Sequence, residues 1–425
     1  INSKFVESGS VKANFKQLNE ERKKYDILYI SQYREKSYLD PISYFYPSSS
    51  IMAVNNYWVF NKIAQICTLK KKKLCELSIL VISLYKPLFS LNSIHKKLDQ
   101  YKSKSTEFNN FLKFVYMDSK VENRLKEQIQ TPSKIKNKIS KSIKTQYEEN
   151  PYPRWRYTSV VEEKEFKYFL SKMKGNKSYN KVSKPKILIA GCGTGHQVIQ
   201  YAGIKNSKID AIDLSQRSLS YANRKTIELN IQNISFYNLD ILDVDILKKK
   251  YDLIICSGCL HHMDKPSEGL KSLMNVTKKN GLIYIGLYST LARKSILHIR
   301  NYIKEKKMSV SKENFFKLRN RIISSNNEDY KRISRSIDFF SLSRFRDLVF
   351  NFKEHTFDLN QIKKMIIKNK LEFLGFDRLN NNTISSFRNM FPDENSELNI
   401  NFWNKFESVY PDTFASMYNF WLMKN

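Results

Sequence analysis

The sequence predicts an α/β protein: a mainly parallel sheet with helices on both faces, a helical region before it and a helical insertion within it. Three observations carry that expectation. From Lys186 onward, short apolar runs alternate with helical patterns, the rhythm of crossover units in a parallel sheet. The first of those runs ends in a glycine-rich turn, "AGCGTG" at 190–195. Residues 291–370 then separate the fifth apolar run from the sixth and read as helices; an insertion of that length is usually a subdomain or a functional element.

In chain order, residues 1–140 read as mainly helical, with no convincing 34-residue register of a helical-pair solenoid. The most apolar run, "LSILVISLY" at 77–85, has Glu76 before it and Lys86-Pro87 after it. It is far shorter than the roughly 20 residues a membrane span needs, so a buried helix is expected and no membrane span. The basic run "KIKNKISKSIK" at 134–144 reads as a solvated helix face. It leads into "QYEENPYPRW" at 146–155, where two prolines end the helix and impose an extended path. Strands are expected at "KILIAG" (186–191), "KIDAIDLS" (208–215), "ISFYNLD" (234–240), "YDLIICSG" (251–258), "GLIYIGLYS" (281–289), "LEFLGFDRL" (371–379) and "SMYNFWLMK" (416–424). Between them, "SLSYANRKTIELN" (218–230) and "DLNQIKKMIIKNK" (358–370) are helical, the latter with Asp358 at its N-cap.

The composition bounds function less than it suggests. A formal charge of +32 over 425 residues raises nucleic acid as a partner. The excess is spread along the chain, with a local enrichment in 291–346, so it reads as background bias; nucleic acid is possible but not favoured. Five cysteines do not make a disulfide framework for so long a chain, which points to a reducing, cytoplasmic setting. No signal-peptide pattern is visible, and the opening Ile1 points to a native start further upstream.

The strongest motif is "ILIAGCGTGHQ" at 187–197. Gly191, Gly193 and Gly195 follow a strand and open a helix, where glycine lets the backbone turn tightly and approach a ligand. Asp213 closes the second strand, where a carboxylate can accept both ribose hydroxyls of an adenosine. A dinucleotide fingerprint would need a third glycine at position 196, which is His196. The G-x-G-x-G form resembles the first motif of the class I S-adenosylmethionine (SAM)-dependent methyltransferases. Asp240, after the third strand, and "YDLIICSGCLHHMDKP" at 251–266 extend that resemblance in order and spacing over roughly 141–425. It implies a Rossmann-like seven-stranded methyltransferase sheet with the last strand antiparallel, with SAM as cofactor. "QYEENPYPRW", "GLYSTLAR" (286–293), "DFFSLSRFRDLVF" (338–350) and "MYNFW" (417–421) look like a bacterial subgroup whose members often carry tetratricopeptide or other helical N-terminal regions. The expected division is 1–140 helical region, 141–290 SAM-binding core with an N-terminal lid, 291–370 helical cap and 371–425 final strands.

Site residues follow from position. The resemblance implies Gly191, Gly193 and Gly195 near the methionine part of SAM, Asp213 at the ribose and Asp240 at the adenine, with Asp243 and Asp245 as neighbouring alternatives. It also makes Tyr147, Glu148, Asn150, Tyr152 and Arg154 pocket-lining lid residues; aromatic faces suit a sulfonium. The other reading of that segment is a rigid tether packed on the core. His261 and His262 lie beyond the fourth strand, at the ligand edge of an open sheet, as candidates for base or substrate orientation. Tyr288 and Arg293 follow the fifth strand and could receive an anionic substrate; Arg346 and His355 are weaker candidates. "CSGC" followed by two histidines invites zinc, but Cys256 lies within a strand and no second cysteine pair exists, so no metal is expected. Cys192 reads as a small packing residue.

The expected function is methyl transfer from SAM to a small or anionic acceptor. RNA methylation, nicotinamide-dependent oxidoreduction and a non-catalytic SAM-binding module, docking a protein partner through the helical N-terminal region, are the alternatives.

Overall fold

The computed structural model describes residues 74–425 apart from 86–87, 154, 156–157, 159–162, 171–181, 341 and 415–416. It divides into two compact units: Ile1–Asn123 with Arg154–Thr158 and Ser309–Arg346, and Arg124–Pro153 with Ser159–Met308 and Asp347–Asn425.

In the described part of the first unit, the apolar run at 77–85 falls in helix Glu76–Tyr85, where Ile79 and Ile82 are fully buried. Helices Asn92–Asp99 and Thr106–Leu112 add Ile94, Leu98, Phe108 and Leu112 to the same core. Helices Lys312–Ile323 and Glu328–Ser334 in the same unit begin at Ser311 and Asn327, whose side chains accept the free N–H groups of the first turn. No helix among the described residues is long and apolar enough to cross a membrane.

The second unit holds the sheet. Its strands are β1 (Lys186–Ala190), β2 (Lys208–Asp213), β3 (Ile234–Asn238), β4 (Tyr251–Ser257), β5 (Thr277–Tyr288), β6 (Leu371–Phe376) and β7 (Met417–Lys424), in the order β3-β2-β1-β4-β5-β7-β6. β1 to β5 run parallel, and β7 is antiparallel to both neighbours. The near-continuous apolar runs of β1 and β4 are explained by burial on both faces: Ile187, Leu188 and Ile189 of β1 and Leu253, Ile254 and Ile255 of β4 are fully buried. Two apolar layers result. One includes Leu188, Ile254, Ile283 and Phe420; the other includes Ile187, Ile209, Leu253 and Tyr284. This is the Rossmann-like seven-stranded arrangement with an antiparallel last strand that the resemblance implied.

Strand order reverses between β1, paired with β2 on one side, and β4 on the other. Ligands of open α/β sheets bind at such a switch point, beyond the carboxyl ends of the strands. The glycine loop after β1 and the two histidines after β4 both lie there.

Candidate active site

The glycine loop has a backbone that only glycine adopts without cost. Gly191, Gly193 and Gly195 have φ of +68°, +52° and +83°. Gly191 and Cys192 N–H groups donate to the Ile212 carbonyl at 2.9 and 3.0 Å, tying the loop to β2. A Cβ on Gly195 would stand 2.6 Å from the Ala222 Cβ, so this glycine also permits close packing of helix Gln216–Glu228.

Asp213 anchors the loop. Its Oδ2 accepts the Gly193 N–H at 2.8 Å and its Oδ1 accepts the Ser215 N–H at 2.8 Å. Burial pushes its pKa up to about 6, opposed by those backbone donors. A carboxylate offers about four acceptor positions, so it can take a further donor. Asp240 is buried just past β3, accepts the Leu242 N–H at 3.1 Å and bonds the Ser140 hydroxyl. Burial raises its pKa as well.

The segment at 146–153 runs over this half of the site. Helix Lys138–Glu149 carries its first part. Glu148 Oε1 accepts the Gln216 N–H at 2.6 Å, satisfying a free donor at the start of helix Gln216–Glu228. Its charge also helps raise Asp213. The Asn150 N–H closes helix Lys138–Glu149 on the Gln146 carbonyl. The Tyr152–Pro153 peptide is cis. A Cβ on Gly193 would stand 2.9 Å from the Tyr152 carbonyl oxygen, and the Thr194 hydroxyl donates to the Pro153 carbonyl. The backbone of this segment therefore lies directly on the glycine loop. Arg154 lies outside the described residues.

The second half is a buried stack at the ends of β4 and β5. His261 lies against the Tyr288 ring at 3.8 Å between centroids and an interplanar angle of 24°, and the Arg293 guanidinium carbon stands 3.7 Å from the same ring centre. Two groups cannot share one face at those distances, so Tyr288 is sandwiched between them. His262 meets His261 edge-on at 4.4 Å. Glu354 grips Arg293 with two bonds, Nε to Oε1 at 2.7 Å and Nη2 to Oε2 at 2.8 Å, the bidentate fork that fixes a guanidinium plane.

An irregular strap, residues 351–357, holds the stack. The His355 N–H donates to the His261 carbonyl at 2.7 Å, and the Phe357 N–H to the Tyr288 carbonyl at 2.9 Å. The His262 Nδ1 lies 2.7 Å from the Lys353 carbonyl. A carbonyl only accepts, so Nδ1 carries the proton and Nε2 keeps its lone pair. Burial lowers the pKa of His262, opposed by the nearby Asp347 charge, and lowers His261 further. His261 makes no hydrogen bond of good geometry among the described residues, with only a weak contact to the Gly286 backbone.

The same segment, 146–153, reaches this half too. The Tyr147 hydroxyl donates to Asp347 Oδ1 at 2.8 Å and accepts from Asn351 Nδ2 at 3.4 Å, while Gln146 accepts the Phe352 N–H at 3.0 Å. The structure thus brings Tyr147, Tyr288, His261, His262 and Arg293 together, and sets Glu148 and the Tyr152 carbonyl on the cofactor side. Sequence reasoning missed Asp347, Asn351 and Glu354. Arg346, though its side chain is only half-buried, falls in the first unit and His355 in the strap, its Nε2 3.0 Å from the Met263 carbonyl.

A glycine loop and a strand-end carboxylate at the switch point of a seven-stranded sheet are the arrangement of a methyltransferase-type α/β core. Residues 181–336 match the family model described as a methyltransferase domain. Those residues carry a methyltransferase-type domain. An uncharacterized protein of Synechococcus sp. is 33% identical over 124 residues, 29% of this chain and 30% of that protein. A ubiquinone biosynthesis O-methyltransferase of Glaesserella parasuis is 29% identical over 131 residues, 29% of this chain and 54% of that protein. Among solved structures, PKMT2 from Rickettsia typhi in complex with AdoHcy gives a TM-score of 0.45 at 17% identity, covering 57% of this chain and 49% of that one. The matches span less than two thirds of the length of each of these proteins.

Proposed function

We propose that the whole chain is a SAM-dependent methyltransferase that presents its acceptor to the stack of His261, His262 and Tyr288. The observation that carries this reading is the path of residues 146–153. The same segment touches the Gly193–Thr194 loop through Tyr152 and Pro153 and reaches the Asp347 cluster through Tyr147. A lid engaged with both halves would hold donor and acceptor in one water-poor space, which is the main requirement for in-line displacement.

Bound SAM supplies a methyl group on a sulfonium that departs as a neutral thioether. The glycine loop admits the methionine part, Asp213 accepts from the ribose and Asp240 lies at the adenine edge. Asn150 and Tyr152 line the lid, and Arg154 is assigned there by the sequence alone. His262, with Nδ1 fixed as donor to Lys353, uses the Nε2 lone pair to take a proton from a hydroxyl or amine acceptor. Its lowered pKa keeps it neutral, and so able to do this, at ordinary pH. Arg293 is already answered by Glu354, so it serves to hold the Tyr288 ring rather than to grip an anion. The acceptor is a small molecule or a macromolecule met in the cytoplasm, and residues 1–140 are the surface for any protein partner.

Calorimetric titration of SAM tests the cofactor side. Wild type should bind, and Asp213→Ala should bind at least tenfold more weakly, the loss of two charge-assisted hydrogen bonds. No binding by folded wild type would overturn the proposal.

A further inference from the structure

Two cysteines that the reaction does not use are pressed against the root of the glycine loop. Cys256 is fully buried near the end of β4. Gly258 follows with φ of +84°, and nothing stands within 4 Å of where its Cβ would lie. Its role is therefore to turn the backbone, not to make room. That turn folds Cys259 back over the strand. The Sγ atoms of Cys256 and Cys259 are 2.8 Å apart, and Cys259 Sγ donates to the Ala190 carbonyl at 3.3 Å. A Cβ on Gly191 would stand 2.5 Å from the Cys259 Cβ and 2.7 Å from its sulfur. The thiol pair thus touches the residue at which β1 becomes the cofactor loop. Cys259 is half-buried and Cys256 is not reachable from solvent. Among the described residues no three His, Cys, Asp or Glu side chains gather to hold a metal, so the pair lacks the ligand count of a structural zinc site.

We propose that Cys256 and Cys259 are a modification site, a thiol pair that a small disulfide oxidises to an intramolecular disulfide, and that this bond weakens cofactor binding. The chemistry is thiol–disulfide exchange. The Cys259 thiolate, the reachable one, attacks one sulfur of the small disulfide, whose S–S bond breaks and releases one thiol. Cys256 then attacks the Cys259 sulfur of the mixed disulfide and releases the second thiol. The two protein thiol protons end on the two released thiols; the protein pair loses two electrons and the small disulfide gains them. Burial pushes the Cys256 thiol well above its ordinary pKa and so slows it as a nucleophile; what favours the second step is proximity, with its sulfur 2.8 Å from that of Cys259.

Closing the bond draws the sulfurs to about 2.05 Å and removes the Cys259 S–H that the Ala190 carbonyl accepts. The loop loses a hydrogen bond at its root. The effect on SAM affinity is on the order of fivefold, the net worth of one such bond. The coupling is mutual, so bound SAM should make the disulfide harder to form by the same factor. This second half rests on the reading that the loop binds SAM; the bond itself does not.

The test uses the full chain, reduced and then incubated with oxidised glutathione, followed by alkylation, trypsin digestion and mass spectrometry. Cys256 and Cys259 share one peptide, 251–271, because Lys265 precedes Pro266. That peptide should escape alkylation and weigh two hydrogens less. Calorimetry on the same sample should show about fivefold weaker SAM binding, restored by dithiothreitol, and Cys259→Ala, which removes the thiol that attacks first, should make affinity insensitive to the oxidant. Alkylation of both cysteines, or a Cys259–Cys192 link, would overturn the site. A disulfide with unchanged SAM affinity would overturn the coupling. Absence of SAM binding by the reduced protein would defeat the cofactor reading instead, and the peptide mass would still decide the thiol pair.

Discussion

The two halves of the site are built in opposite ways. The half around the glycine loop is nearly contiguous: Gly191 to Gly195 and Asp213 lie on one strand-loop-helix-strand stretch, bonded through backbone N–H groups. The half around Tyr288 is assembled from four distant stretches, at 146–147, 261–262, 288–293 and 347–357, joined by side-chain bonds such as Arg293 to Glu354, 61 residues apart. A contiguous cradle follows from turn geometry and tolerates change elsewhere. A dispersed stack depends on every strand end and on the strap, so its residues should fail separately from cofactor binding.

The largest expected effect separates the halves outright. His262→Ala should lower turnover by about 10²- to 10⁴-fold, the usual worth of a positioned acid or base, while SAM affinity by calorimetry changes less than about twofold, well inside one hydrogen bond's worth. A matching loss of SAM binding would mean the halves are one unit. Next, Glu354→Gln leaves Arg293 charged, buried and without its carboxylate. Stability by urea denaturation should fall by about 3–5 kcal/mol. The double change with Arg293→Met should recover part of it, because the Arg293 charge is gone while Arg300, 3.8 Å from Glu354, still loses its partner.

The smallest effect lies on the cofactor side. Asp213 has its pKa raised to about 6, mainly by burial. The carboxylate is the better acceptor for ribose hydroxyls, and it is present above that pH and lost as pH falls through it. SAM affinity should be flat from pH 8 to 7 and drop by about tenfold near pH 5, a dependence that Asp213→Asn should abolish. A raised acid pKa also means that ionisation costs stability, a cost complete above pH 6; Asp213→Asn removes it but turns an amide donor toward one of the two N–H groups that Asp213 accepts, so the substitution should bring no gain in stability at pH 8.

This contrast also explains how much the sequence reveals. β1, β2 and β4 are the most legible strands, because their runs are apolar and end in glycine or acid, as in "KILIAG" and "KIDAIDLS". His261, His262, Tyr288 and Arg293 could be placed at the ligand edge because each ends or follows a strand. Their partners could not. Glu354 and Asp347 sit in an insertion read as helical from its periodicity, and no periodicity marks a strap such as 351–357. Arg293 looked free to bind an anion because its counter-charge is remote in sequence. "QYEENPYPRW" signalled an extended path through its prolines, but that its carbonyls meet Gly193 and Thr194 is a fact of packing.

Transfer of labelled methyl from SAM into a cell extract, split into RNA, protein and small-molecule fractions, tests the central claim most directly. Wild type should label one fraction and His262→Ala, still binding SAM, should leave it near background. A folded, SAM-binding wild type that labels none of the three would contradict methyl transfer.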